Sequence, residues 1–205
     1  MIPIHEYTHG ISNRLTGGAA NAQCLQSVES RGLGEGWGDA IALYLTRTPK
    51  SFAEEIVYAS AYVIDNPTGI RHRPYTTRMD LNPYLYSHIA KYPESHDMGE
   101  IFTAFLYDMY WNLVTAFGFN ADIMDNTSRS GSNVAMQLLI GGMMFQPCNP
   151  TFIEARNAIL TADDHYYKSS HRCFIWKAFA RRGMGVFALD YANVPVDEYS
   201  LPPGC

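Results

Sequence analysis

The sequence has no surplus of basic residues, few cysteines and no long apolar run, and each shortage excludes a class of protein. Lys and Arg number 15 against 20 Asp and Glu, so the net charge of −5 provides no basic surface for nucleic acid or an anionic membrane. No uninterrupted apolar stretch reaches the ~18–20 residues that a membrane helix needs. We therefore expect no nucleic-acid partner and no membrane span.

The four cysteines are too widely spaced for a cysteine-based metal or redox motif. Cys24, Cys148, Cys173 and Cys205 never occur in C-x-x-C spacing. Their even number permits two disulfides in any of three pairings, which fits a secreted protein. Buried free thiols are the alternative, because cysteine also packs as a small apolar residue.

The apolar content is sufficient for a core, and its spacing is mostly helical. Of the 205 residues, 47% are hydrophobic, enough for one large domain or two small ones. Apolar residues recur with helical period in four segments after the first third of the chain, at 101–114, 134–145, 151–162 and 173–182. We predict a mainly α fold and one helical unit over residues 1–205.

The last two of these helices carry recognisable signals at their ends. Thr151, with Glu154 three residues later, predicts a capping box at a helix start. In the last helix, Lys177, Arg181 and Arg182 are expected outside the core or at the C-terminus, where the helix dipole favours them.

The most informative stretch is His5-Glu6-Tyr7-Thr8-His9. On a helix, histidines four residues apart share one face and can bind one metal ion. Glu6 follows the first histidine directly, which is the general-base position of the H-E-x-x-H motif. The alternative is a surface helix with two solvated histidines.

A second stretch, Gly34–Asp39, leads into an apolar helical run. Its Glu35 and Asp39 are four residues apart and share a face, and carboxylates that face a core need a positive partner. A zinc ion would be that partner, with His5, His9 and Glu35 as ligands, a fourth position open, and Asp39 as acceptor for a ligand imidazole. The alternative is a charge pair favoured by the helix dipole.

Together these blocks resemble a known family. The blocks are H-E-Y-T-H-G-I-S-N-R-L-T-G-G at 5–18, C-L-Q-S-V-E-S at 24–30 and G-L-G-E-G-W-G-D at 32–39, followed by Q-P-C-N-P-T-F at 146–152 and W-K-A-F-A-R-R-G at 176–183. They are similar to the fungalysin family of secreted metalloendopeptidases, which are thermolysin-like gluzincins. The similarity covers essentially the whole chain.

The resemblance implies that His5, His9 and Glu35 bind zinc and that Glu6 is the base. It also implies a helical C-terminal lobe of a catalytic domain, with a β-rich lobe before it, a secreted location, protein or peptide substrates and an N-terminal propeptide in the precursor. Since only four residues, one of them proline, precede His5, we expect the chain to be truncated at its N-terminus.

Two further residues are candidates by the same resemblance. His96 lies in a His-x-x-Gly step before a helix, where thermolysin-like enzymes keep a histidine that stabilises the oxyanion; a polar helix-start residue without a role is the alternative. Related enzymes also use a tyrosine near the third ligand. Residues 24–34 contain none, so either Tyr75 serves or the role is unfilled.

For the proline-rich region 65–93 we favour an ordered loop packed as surface coil over one that lines the substrate cleft.

The predicted function is that of a zinc-dependent extracellular metalloendopeptidase, with Glu6 as general base and His96 stabilising the oxyanion. One alternative is a zinc-binding but inactive fragment, because the peptide-binding edge strand belongs to the preceding lobe. A non-metallic module is the other, and it would leave Glu35 and Asp39 without a partner. The remaining histidines are expected on the surface or as satisfied core residues: His72, His88, His165 and His171.

Overall fold

The computed structural model describes residues 1–191 and 194–205, and helices dominate this part of the chain. They are α1 Ile2–Leu15, α2 Val28–Thr46, α3 Ser95–Phe117, α4 Gly131–Phe145, α5 Phe152–Tyr167 and α6 Arg172–Arg181, with short 3-10 helices at Ala61–Val63 and Tyr86–Ala90. A small antiparallel ribbon joins β1 Asp190–Tyr191 to β2 Val194–Pro195. The prediction of a mainly helical fold is confirmed.

Helix α3 forms the centre of the structure. Its residues from Met98 to Trp111 are buried without interruption, as expected for a helix that neighbours surround on all sides. Helices α2, α4 and α6 pack against it, and α1 packs on α2. The metal motif on α1 is therefore joined to the core through α2. Within the described residues, no helix combines the length and the apolar character that crossing a membrane requires.

The helix ends follow local sequence signals. The predicted capping box at α5 is confirmed, because Thr151 accepts the backbone N–H of Glu154 and the Glu154 carboxylate accepts that of Thr151. Ser27 caps α2 by accepting the N–H of Ser30. Glu94 caps α3 by accepting the backbone N–H groups of His96 and Asp97. Each cap satisfies donors that have no partner inside the helix.

Both disulfides that the cysteine count permits are present. Cys24 pairs with Cys148, which ties the segment between α1 and α2 to the connection between α4 and α5. Cys173 pairs with Cys205, which ties the C-terminus to α6. The alternative of buried free thiols is therefore wrong.

Arg182 lies at the C-terminal end of α6, one of the two positions predicted for it, but not outside the core. Its side chain is fully buried and its Nε lies 2.7 Å from Asp108 Oδ2. It also donates to the backbone carbonyls of Asn82 and Tyr84. Asp108 is itself buried on α3, and a buried carboxylate needs a cation more than the helix terminus does. Lys177 and Arg181 are exposed as predicted.

Candidate metal centre

Helix α1 presents both histidines of the motif to α2. His5 is buried and His9 is half-buried, and their ring centroids lie 4.8 Å apart in an edge-to-face arrangement. The two residues are one helical turn apart, so they share the face that packs on α2. The predicted helical placement of the motif is therefore confirmed.

Helix α2 brings two carboxylates to the same place. His5 Nε2 lies 3.1 Å from Glu35 Oε2, and His9 Nε2 lies 3.7 Å from Glu35 Oε1. The other ring nitrogen of His5, Nδ1, lies 2.7 Å from Asp39 Oδ1. Glu35 therefore faces the Nε2 atoms of both histidines, while Asp39 contacts Nδ1 on the other edge of the His5 ring.

Two glycines make this close approach possible. A Cβ added at Gly38 would lie 2.7 Å from His5 Nδ1, and one added at Gly99 would lie 2.4 Å from the Cβ of Glu35. Real Cβ atoms do not tolerate such contacts with backbone or ring atoms. The sequence thus needs glycine on α2 to seat the imidazole of His5 and on α3 to seat Glu35.

The atoms that converge here fit a zinc ion. One ligand atom from each of His5, His9 and Glu35 lies within 4.8 Å of the others. Ligands about 2.0–2.1 Å from a tetrahedral zinc are about 3.3–3.4 Å apart, a value that the observed separations of 3.1 and 3.7 Å bracket. Two imidazoles and one carboxylate are a donor set typical of catalytic zinc with an open fourth position.

Asp39 is the most heavily bonded group of the site. It accepts hydrogen bonds from His5, from Arg71 Nε at 2.7 Å and Nη2 at 3.1 Å, and from the hydroxyl of Tyr75. Burial by itself would raise the pKa of Asp39, but the hydrogen bonds from His5 and Arg71 outweigh it and hold the pKa well below the usual range. Asp39 is therefore an anion that orients the imidazole of His5.

The same charges act on His5. Burial would lower the pKa of its imidazole, but the hydrogen bonds to Asp39 and Glu35 raise the pKa to about 9. For Glu35, burial acts to raise the pKa, and the hydrogen bond from His5 with the nearby His9 and His96 brings it down. With the pKa raised in this way, the imidazole of His5 carries a second proton, and its positive charge offsets the carboxylates of Asp39 and Glu35. A metal ion would take the place of that proton.

Arg71 was not predicted as part of the site, and Tyr75 was considered only for the role of the tyrosine near the third ligand. The structure corrects the interpretation of their loop as surface coil, because Tyr75 is fully buried and both side chains bind Asp39. One signal in the sequence pointed this way: a single histidine does not supply enough hydrogen bonds for a buried carboxylate such as Asp39. The Tyr75 hydroxyl is buried and donates to Asp39, so Tyr75 does not offer it to an oxyanion.

Glu6 and His96 share a cavity beside the metal ligands. The cavity has a volume of about 110 Å³, and Glu6, His96, His5 and Arg71 are among the residues that line it. His96 Nε2 lies 3.5 Å from Glu35 Oε2. The structure thus brings both candidate catalytic residues to the candidate ligands.

Glu94 holds His96 in this position and was missed by sequence reasoning. Its Oε1 lies 2.9 Å from His96 Nδ1, and its Oε2 accepts the backbone N–H of His96 at 2.8 Å. An acidic residue two positions before a helix-start histidine was the available signal.

The other histidines lie apart from these ligands. His171 is buried and its Nδ1 lies 2.8 Å from Asp163, as expected for a satisfied core residue. His72 is largely exposed and contacts Asp97 and Glu100, a second group whose ligand atoms lie within 4.8 Å of one another.

The chain is similar over most of its length to a known protein family. The model of the fungalysin metallopeptidase (M36) family matches residues 1–188. Probable extracellular metalloproteinase 3 of Trichophyton verrucosum is 43% identical, and extracellular metalloproteinase 3 of Trichophyton rubrum 42%, each over 100% of this chain and 33% of the relative. Extracellular metalloproteinase mep of Aspergillus terreus is 43% identical over 99% of this chain and 33% of its own length.

The chain belongs to the fungalysin metallopeptidase family. The resemblance inferred from the motif blocks is thereby confirmed. This fungalysin chain spans about one third of the length of the curated relatives that it matches. The helical composition agrees with the expected helical lobe of such an enzyme.

Proposed function

We propose that this fungalysin chain is the metal-binding helical lobe of a secreted, zinc-dependent metalloendopeptidase that hydrolyses internal peptide bonds of proteins. The observation that carries the proposal is the convergence of His5, His9 and Glu35 beside a cavity that Glu6 and His96 line. The names of the relatives, extracellular metalloproteinases, support both the metal-dependent proteolysis and the extracellular location.

In this proposal His5, His9 and Glu35 hold the zinc. A zinc ion bound there would lower the pKa of a water toward about 7 and polarise the scissile carbonyl. Asp39 accepts the Nδ1–H of His5, which fixes the tautomer that leaves Nε2 free to act as a ligand. Arg71 keeps the Asp39 carboxylate ionised and in place.

Proton transfer falls to Glu6 and oxyanion stabilisation to His96. Glu6 is exposed to the cavity, so its carboxylate can take a proton from the attacking water and pass it to the leaving amine. In its doubly protonated form, His96 donates Nδ1–H to Glu94 and Nε2–H to the developing oxyanion.

A second candidate function is zinc binding without hydrolysis by this chain alone. One side of α1 supports it, because Tyr7 is 76% exposed and lines an open groove with Ile11 and Leu15. A peptide cleft needs walls on both sides of the metal. Within the described residues, no other helix or strand packs against that side of α1.

The test is zinc analysis of the purified protein combined with cleavage of a casein substrate. We expect one zinc per chain, and Glu6→Gln should retain it while losing about 10²- to 10⁴-fold in kcat. Glu54→Gln is the matched control, since Glu54 is exposed and does not line the cavity. Zinc without cleavage by the wild-type chain would favour the second candidate. A folded protein without zinc at neutral pH would overturn both.

A further inference from the structure

Glu100 is a buried carboxylate that the proposed chemistry does not use. It lies on α3, and its side chain is 1% exposed. Its two oxygens accept two consecutive backbone N–H groups, Oε2 that of His72 at 2.9 Å and Oε1 that of Arg73 at 2.6 Å. Because one carboxyl group accepts from two consecutive amides, this contact fixes the main chain at residues 72 and 73.

The contact is directed at the main chain more than at the side chain of residue 72. The imidazole of His72 is 64% exposed and lies 3.2 Å from Asp97 and 3.4 Å from Glu100. The two amides, in contrast, face a carboxylate that solvent does not reach. Removing this acceptor would leave both N–H groups without the carboxylate that now accepts them.

Glu100 is the middle of three anchors on one short segment. Ahead of it, the N–H of Ile70 donates to the carbonyl of Ala59 at 2.9 Å. Beyond it, Tyr75 and Val57 exchange two backbone hydrogen bonds of 2.9 and 3.0 Å. Asn82 Nδ2 also donates to the carbonyl of Pro74 at 2.9 Å, at the far end of this stretch. Without Glu100, residues 72 and 73 would lose the carboxylate that binds their N–H groups.

Arg71 lies inside that stretch, directly before the amides that Glu100 binds. Its guanidinium is nearly buried and meets Asp39 through two nitrogens, at 2.7 and 3.1 Å. A planar fork of this kind depends on the direction of its stem, since both nitrogens have to reach the same carboxylate. Asp39 in turn holds Nδ1 of His5.

We propose that Glu100 is a positioning residue of the metal centre, which acts through the main chain of residues 72 and 73 on Arg71, and through Arg71 on Asp39 and His5. The inference rests on the proposed zinc site and adds a remote determinant of its metal affinity. Glu100 binds no ligand of the metal directly. Its effect is therefore transmitted by Arg71.

The experiment measures zinc dissociation constants by competition with a chelator, which needs no activity. The variants are Glu100→Gln, Arg71→Met and the two combined. In Glu100→Gln one oxygen becomes an NH₂ group that faces a backbone N–H, so the segment loses one anchor. We expect about 3- to 10-fold weaker zinc binding, below the 10- to 100-fold typical of groups that bond a ligand directly. The double variant should bind no more weakly than Arg71→Met alone.

A purely structural role for Glu100 predicts a different result. Asp108→Asn is the matched control, because Asp108 is also buried on α3 and also accepts from an arginine, but far from the ligands. It should lower Tm without changing zinc affinity. Cobalt-substituted protein gives a second readout: the visible absorption spectrum should change in Glu100→Gln and Arg71→Met in the same way, and not in Asp108→Asn.

Several outcomes would overturn the inference. They are unchanged zinc affinity in Glu100→Gln, losses from Glu100 and Arg71 that add in the double variant, and an equal loss in Asp108→Asn. If Glu100→Gln does not fold, Glu100→Asp keeps the charge but is shorter and reaches one amide, and should give a smaller loss of the same kind. Wild-type protein that binds no zinc would instead refute the proposed function, and the inference with it.

Discussion

Two buried aspartates, Asp39 on α2 and Asp108 on α3, use arginines from distant parts of the chain in different ways. Asp39 shares its oxygens among Arg71, His5 and Tyr75. Asp108 binds Arg182 at 2.7 Å and Arg181 at 2.9 Å. The first network ends at a candidate metal ligand, whereas the second ends at backbone carbonyls of the loop before α3.

The difference shows that a buried ion pair does not by itself identify a functional site. Both carboxylates are almost inaccessible, and each has a guanidinium within hydrogen-bond distance. The two carboxylates differ in their other partners. Asp39 also binds the imidazole of His5, and an imidazole held at one nitrogen can bind a metal in a fixed direction through the other. Asp39 therefore orients chemistry, while Asp108 holds a loop against the core.

The largest effect on stability is expected at the second network. Asp108→Asn leaves the guanidinium of Arg182 buried without its anion, which should lower the free energy of unfolding by about 3–5 kcal/mol. Zinc affinity should stay within twofold of wild type, since no group of this network contacts a candidate ligand. Urea unfolding and chelator competition on the same samples measure the two quantities. A loss of zinc affinity would contradict the separation of the two networks.

The largest effect on metal affinity is expected at the first network. Asp39→Asn places an amide where His5 and Arg71 both donate, so at least one of them loses its acceptor. We expect zinc binding to weaken by about 10- to 100-fold, the range typical of groups that orient a histidine ligand. Chelator competition measures the change. An Asp39→Asn protein that binds zinc as tightly as wild type would show that His5 does not need the carboxylate of Asp39 for its orientation.

Much of the candidate site was predictable because its residues lie close together in sequence. His5 and His9, like Glu35 and Asp39, are one helical turn apart, so local periodicity already places each pair on one face. Charge supplied the link between the pairs, since two inward carboxylates need a cation. The mainly helical fold followed in the same way from apolar residues at helical spacing.

The rest depends on contacts that no local pattern specifies. Arg71 and Tyr75 belong to the connection between α2 and α3, which has no regular period, and only folding brings them to Asp39. Arg182 was predicted from its place at a helix end, but its partner Asp108 is 74 residues away. The cysteines were similarly open, because four of them pair in three ways and spacing favours none.

The smallest effect is expected from Tyr75→Phe, which tests how much the tyrosine hydroxyl contributes to holding Asp39 in place. The ring stays in its buried place and only the hydroxyl that donates to Asp39 Oδ2 is lost. Arg71 Nε still donates to the same oxygen, so the carboxylate keeps an anchor on each side. We expect a stability loss of about 1–2 kcal/mol and zinc binding weakened by no more than about threefold.

Tyr44→Phe is the matched control for this change. Tyr44 is also buried, and its hydroxyl donates to the backbone carbonyl of Leu106 at 2.6 Å, away from the ligands. It should reproduce the loss of stability with no change in zinc affinity. If Tyr75→Phe instead weakened zinc binding as much as Asp39→Asn, the hydroxyl and not the guanidinium of Arg71 would orient Asp39. The contrast with the Asp108 network would then lie in a tyrosine, since both networks contain a buried arginine.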